Sequence, residues 1–196
     1  TEEHKIKFIG PKSEHIKMMG NKIDAKKIMD TNNVPTVPGL NHLDNDDKVN
    51  DFINKVGLPI IVKAASGGGG KGMRIVNKKS ELKKSIEAAK VEAKKSFNDD
   101  VVYLEKFLTN PKHIEIQILA DSYGNVVTLG ERDCSIQRKH QKLIEESPST
   151  VLLDEEREKI SNLCRKAVNS INYEGVGTLE FLFEENKFYF MEMNTR

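Results

Sequence analysis

A glycine run constrains this chain more than any other stretch. In Leu58-Pro-Ile-Ile-Val-Lys-Ala-Ala-Ser-Gly-Gly-Gly-Gly-Lys-Gly-Met-Arg-Ile-Val-Asn77 an apolar run reaches Lys63, glycines occupy 67–70 and 72, and a second apolar run, Met73 to Val76, follows. Glycine permits positive φ and lets bare backbone approach a ligand, and successive N–H groups form an anion-binding nest. With Lys63 and Lys71 beside it, the loop fits a polyphosphate. It is not a Walker A loop, because Ala65 takes the place of the first Gly and Gly72 that of the magnesium-binding Ser or Thr. The spacing Gly67-x-Gly69-x-x-Gly72 would signal a dinucleotide fold only if a helix followed; Met-Arg-Ile-Val reads as a strand. The expectation is a β-hairpin with the loop at its tip, a flap over phosphates. A flexible surface hairpin without a ligand is the competing reading.

Bulk properties exclude several classes. Lys and Arg number 31 against 30 Asp and Glu, which gives no whole-chain field for nucleic acid or membrane. No apolar run approaches the ~20 residues that span a bilayer, and no signal peptide opens the chain. It starts at Thr1 without Met and stops at Arg196 after a strand-like run, so a piece of a larger protein is expected. Cys134 and Cys164 make no disulfide framework; they read as buried or idle thiols in a reducing compartment, cytoplasmic or organellar.

In order along the chain, a helix with Ser13 as cap and Ile16, Met19 and Ile23 as its apolar stripe is expected to carry Lys22. The breaker-rich segment 32–39 reads as a connector. A helix from Asp46, with Val49, Phe52, Ile53 and Val56 on one face, should stop at Gly57. After the hairpin comes a helix capped by Ser80 with Leu82, Ile86, Ala89 and Ala93 inward, then a strand over 101–104. His113-Ile-Glu-Ile-Gln-Ile-Leu119 alternates as a strand does. The returning strand 126–129 runs into the polar segment 131–142, which reads by composition as a solvated loop. A helix over 154–170 precedes a hairpin of 178–183 and 188–194. Glu180 and Glu192 interrupt its two core strands, which is costly without a partner or a metal. A three-residue turn or a bulge would oppose the two glutamates. A strict two-residue turn would set Glu180 against Met191. If they meet, they and Asn194 are hard oxygen ligands suited to magnesium.

Several runs together resemble biotin carboxylase: Lys63 with Ser-Gly-Gly-Gly-Gly-Lys-Gly-Met-Arg, Glu105-Lys-Phe-Leu108, His113-Ile-Glu-Ile-Gln117, Glu131-Arg-Asp-Cys-Ser-Ile-Gln-Arg-Lys-His-Gln-Lys142 and Glu192-Met-Asn-Thr-Arg196. Phe8-Ile-Gly-Pro-Lys and Met19-Gly-Asn-Lys22 extend the likeness over nearly the whole chain. The resemblance implies an α+β fold of the ATP-grasp class: a helical lead-in over 1–39, a mobile glycine-loop lid over 40–107 and a core subdomain over 108–196.

By the same resemblance, Lys22, Lys63, Gly69 and Gly70 would hold ATP phosphates. Glu105, Lys106, Phe107 and Leu108 would form the adenine hinge, and His113, Gln137 and His140 would lie on the ribose or phosphate side. Glu180, Glu192 and Asn194 would bind magnesium or manganese. Lys142 and Arg196 would hold bicarbonate, with Arg196 also steadying the biotin oxygen. The implied reaction carboxylates biotin on a carrier protein or domain through carboxyphosphate, as one component of acetyl-CoA carboxylase or a related biotin-dependent carboxylase. A carboxyltransferase component would be a partner and the complete enzyme a homodimer; the family's general base and a further biotin-side arginine lie outside these residues. Two other readings stand beside it: another ATP-grasp ligase such as a carbamoyl-phosphate synthetase, and a nucleotide-binding module without catalysis.

Overall fold

Two antiparallel sheets organise the chain. The computed structural model describes residues 1–66 and 70–196, Glu2 by its backbone alone; Gly67 to Gly69, and with them the expected phosphate contact Gly69, lie outside the described residues. The first sheet runs β1 (Gly39–Leu40), β4 (Val102–Lys106), β2 (Ile60–Ala64), β3 (Arg74–Val76). The helices α3 (Asp46–Val56) and α4 (Leu82–Phe97) cover one face. Period-two alternation sends Ile60, Val62, Val102 and Leu104 into the core with Val49, Ile53, Leu82 and Ala89. The same parity leaves Ile61, Lys63, Tyr103 and Glu105 on the opposite face, paired Lys63 to Tyr103 and Ile61 to Glu105.

The two strands of the expected hairpin pair, Ile60 to Val62 with Val76 to Arg74. Gly57 closes α3 at φ +76, its N–H donating to the Ile53 carbonyl. Ser80 does not cap α4; it sits in a 3-10 turn, Lys79–Glu81, and Glu81 takes the cap position without a side-chain bond.

The second sheet runs β7 (Gln141–Glu146), β6 (Val126–Arg138), β5 (Lys112–Ala120), β8 (Gly175–Glu184), β9 (Lys187–Thr195). Its inner face, Ile114, Ile116, Ile118, Leu179, Phe181, Phe183, Phe188 and Phe190, packs on Ile160, Cys164, Ala167 and Val168 of α5 (Asp154–Ser170) and on Met19, Ala25 and Met29. Full burial of side chains of this size contributes about 1.5–3 kcal/mol each.

Two expectations change here. The segment expected as one helix from Ser13 is α1 (Ser13–Gly20) and α2 (Lys22–Thr31), broken at Asn21, whose side-chain oxygen accepts from the N–H groups of Ile23 and Asp24. Asn is among the best N-caps, and it outcompetes continuation through Gly20. Lys12, not Ser13, is the N-cap of α1, and Ile16 is exposed while His15 and Met19 are buried. The polar run 131–142 is not a loop: it is most of β6 and the start of β7. Residues 131–133 pair with β5 and 136–138 with β7, and Glu131, Asp133 and Cys134 are buried.

The β8–β9 hairpin settles the glutamate register by combining the two options. Glu184 pairs with Lys187 across Glu185 and Asn186, both at positive φ as a type I′ turn requires. A bulge then leaves Met191 unpaired between Phe181–Phe190 and Glu180–Glu192. The extra residue flips the parity of β9, so that Phe188 and Phe190 point to the core, Met193 returns to it, and Glu192 and Asn194 turn to the other face.

Candidate functional site

The outer faces of the two sheets meet across a cleft of about 510 Å³. Lys22, Lys63, Gly70, Glu105, Lys106, Phe107 and Leu108 line it from the side of α2 and the first sheet, and His113, Gln137, His140, Lys142, Glu180, Glu192, Asn194 and Arg196 from the second. Every nominated residue among the described ones is therefore brought to one place. Lys22 arrives there because the break at Asn21 docks on the base of the flap: Asn21 bridges Ser66, and the Lys22 N–H donates to the Ala65 carbonyl. Gly70, at φ +73, lies so close to the β6–β7 turn that a Cβ there would run into the His140 ring.

That contact gives a first prediction. Gly70→Ala should destabilise the chain by about 1–2 kcal/mol through its left-handed backbone alone, with a further steric loss that His140→Ala removes. Urea denaturation of the single and double variants separates the two parts.

The floor of the first-sheet side is an ion triad. Lys26, one helical turn after Lys22, pairs with Glu105, and Lys63 Nζ donates to the other Glu105 oxygen at 3.0 Å. Both ammonium groups also lie near the Tyr103 ring, 5.7 and 6.0 Å from its centre. Burial works against the Glu105 carboxylate, but Lys63 and Lys26 outweigh it and hold the group below the ordinary carboxylate range. For Lys63 burial is likewise outweighed, chiefly by Glu105, and its pKa rises. For Lys26 burial prevails and its pKa falls. The Glu105 side chain thus serves as an anionic platform for Lys63. At the end of β4 the N–H groups of Lys106 and Phe107 donate to the carbonyls of Pro38 and Pro59.

The second-sheet side is built around Glu180. Its Oε2 contacts His113 Nε2 at 2.6 Å, and its Oε1 accepts from Lys142 Nζ at 3.0 Å and from the Asn194 amide at 2.6 Å. Burial would raise its pKa, yet His113 and Lys142 bring the carboxyl down to about 2. Glu192, opposite in register, pairs with Lys22 Nζ at 3.1 Å. Asn194 donates through its nitrogen, which leaves its amide oxygen for a cation. Two carboxylates and an amide oxygen on one wall fit a hard divalent ion.

A different triplet also gathers ligand atoms among the described residues: Glu115, Cys134 and Glu145 lie within 4.8 Å of one another. Glu115 already binds Arg132 and Lys142, and burial together with Glu115 pushes the Cys134 thiol up to about 12, so this is a salt-bridge network and not a thiolate site. Lys142 Nζ lies between Glu115 and Glu180. Sequence reasoning missed Lys26 and Glu115. The signals were present: Lys26 stands four residues after Lys22, and Glu115 lies midway along the polar face of the alternating strand.

Residues 21–196 match the carbamoyl-phosphate synthase L chain, ATP-binding domain family. Among curated proteins, the chain is 50% identical over 191 residues to the biotin carboxylase of Haemophilus influenzae, covering 96% of this chain and 43% of that protein. Among solved structures it resembles the biotin carboxylase–βγ-ATP complex of Campylobacter jejuni, with TM-score 0.93 and 47% identity over 100% of this chain and 44% of the other. It also resembles the biotin carboxylase domain dimer of the Hydrogenobacter thermophilus 2-oxoglutarate carboxylase with MgADP, ADP and bicarbonate, with TM-score 0.92 and 47% identity over 100% and 44%. The fold is thus the α+β ATP-grasp fold. The chain spans less than half the length of these relatives. No helix among the described residues is long and apolar enough to cross a membrane.

Proposed function

This chain belongs to the family of the carbamoyl-phosphate synthase L chain ATP-binding domain, and from that premise we propose that it is the nucleotide-gripping part of a biotin carboxylase. One observation carries the reading: the flap lysine, the hinge and the Glu180–Glu192 pair share a single cleft. Relatives at about half identity include biotin carboxylases, and related structures hold βγ-ATP, MgADP and bicarbonate.

In this reading Lys22 and Lys63 contact phosphates as point charges, with Gly69 and Gly70 lending N–H groups. Leu108 packs on adenine while its N–H and the Lys106 carbonyl meet the base edge, and His113, Gln137 and His140 lie on the ribose and phosphate side. Glu180, Glu192 and Asn194 hold magnesium or manganese, whose chemistry is to neutralise charge on the phosphoryl oxygens. Lys142 and Arg196 place bicarbonate to take the γ-phosphoryl group, forming carboxyphosphate, and Arg196 stabilises the developing oxyanion of biotin. A closed lid keeps water from that intermediate. The biotin arrives on a carrier protein or domain, a carboxyltransferase takes the carboxyl onward, and the longer enzyme is a homodimer, as the Hydrogenobacter thermophilus domain is. The chain by itself binds Mg-nucleotide without carboxylating biotin.

The test uses the longer protein. Its ATP cleavage should require bicarbonate and rise with biotin, and Lys142→Ala should raise the bicarbonate KM at least tenfold with ATP affinity held within about threefold. ATP cleavage stimulated by ammonia in place of biotin would move the chain to the carbamoyl-forming ligases. Equal loss for ATP and bicarbonate would remove Lys142 from the bicarbonate site.

A further inference from the structure

The run 133–137 grips His113 twice. The Asp133 carboxylate accepts from both the N–H and the hydroxyl of Ser135, and the Ser135 oxygen in turn accepts from the His113 backbone N–H at 2.9 Å. At the ring, Gln137 Nε2 lies 2.7 Å from the Cys134 carbonyl oxygen and 2.7 Å from His113 Nδ1. A carbonyl can only accept, so the end of the Gln137 amide that faces it is the NH2. One of the two hydrogens goes to that carbonyl and the other points at Nδ1, which must then present its lone pair. The ring proton is left on Nε2, where Glu180 Oε2 waits at 2.6 Å.

We propose that Gln137 is a positioning residue: by giving one amide hydrogen to the Cys134 carbonyl and the other to His113 Nδ1, it fixes the tautomer whose Nε2–H holds the Glu180 carboxylate. Lys142 and Asn194 secure the other carboxylate oxygen, so the group is fastened at both ends. With both amide hydrogens committed, Gln137 has only its Oε1 to offer a ligand. The polar run thus acts through an imidazole on a carboxylate two strands away on the same wall of the cleft. An outer partner of this kind, orienting a metal ligand through its hydrogen bonds, is a general device of metal sites. That Glu180 serves a metal rests on the proposed function; the tautomer does not.

Two substitutions test the proposal in this chain. Gln137→Met keeps the length of the side chain and removes the donor, and Gln137→Glu replaces the donor with an acceptor. With histidine labelled in 15N, long-range proton–nitrogen spectra near neutral pH report which ring nitrogen is protonated; His113→Gln identifies the signal among the five histidines. Wild type should show His113 protonated at Nε2, with that proton slow to exchange. Gln137→Met should give mixed tautomers, Gln137→Glu should move the proton to Nδ1, and both should lose the slow proton. Affinity for Mn2+–ADP should fall about tenfold or more in each. A wild-type proton on Nδ1, an unchanged tautomer in both variants, or a changed tautomer with unchanged Mn2+–ADP affinity would each overturn the proposal. If wild type bound no Mn2+–ADP, the nucleotide reading would fall by itself, and the slow Nε2 proton alone would decide whether Gln137 holds His113 against Glu180.

Discussion

Replacing Glu105 by Gln should lower the stability of this chain by about 3–5 kcal/mol, because breaking a buried ion group from one side leaves its charges uncompensated. Glu105 is 3% exposed and is the shared partner of Lys26 and Lys63. The amide can still accept a hydrogen bond but cannot offset two ammonium groups in a dry setting. A melting temperature lower by roughly 10 °C is the expected reading for a chain of this size. Lys26, whose charge burial already disfavours, is the member easiest to neutralise, so Glu105→Gln with Lys26→Met should recover part of the loss.

The pH dependence follows from the directions of the shifts. Glu105 is held below its ordinary 4.5, so its contribution is complete above that value and fades as pH falls below it. Lys63 is raised above its ordinary 10.5, so its contribution persists until pH climbs past the lysine range. The gap between wild type and Glu105→Gln should therefore be flat across neutral pH and narrow in acid. A gap that widened in acid would contradict the triad.

Glu180→Gln should have the second large effect, on binding. The carboxyl stays ionised down to about 2 because His113 and Lys142 outweigh its burial, so it presents a full negative charge at working pH. The neutral amide keeps the shape and loses the charge. Removing an outer partner of a metal ligand costs about 10–100-fold in affinity; removing the proposed ligand itself should cost at least the upper end of that range for Mn2+–ADP. Affinity for metal-free ADP should change much less, and calorimetric titrations with and without Mn2+ measure the difference.

How much of this was legible beforehand depended on whether the signal was local. The flap hairpin, α3 ending at Gly57 and α5 over Asp154–Ser170 were readable from alternation, a left-handed glycine and an apolar stripe. The break at Asn21 was not, because its partners include Ser66 on a distant hairpin. The run 131–142 looked solvated because composition cannot reveal that Arg132, Ser135 and Gln137 find partners on β5. The Glu180–Glu192 opposition hung on a single unpaired residue, Met191, whose bulge no residue type announced. The spacing of Lys26 from Lys22 was visible in the sequence, but its partner was not until the fold placed Glu105 beside it. Resemblance to a family supplied the roles; the geometry supplied the reason those positions can share a ligand.

In the proposed function the flap lysine and the two opposed glutamates close on one nucleotide and its metal. The most direct measurement is 31P relaxation of ADP bound to this chain as Mn2+ is added. Wild type should show strong paramagnetic broadening of the β-phosphate, and Glu192→Gln should lose it. ADP that binds with its phosphates indifferent to Mn2+, or Mn2+ that binds at a site giving no broadening, would contradict it.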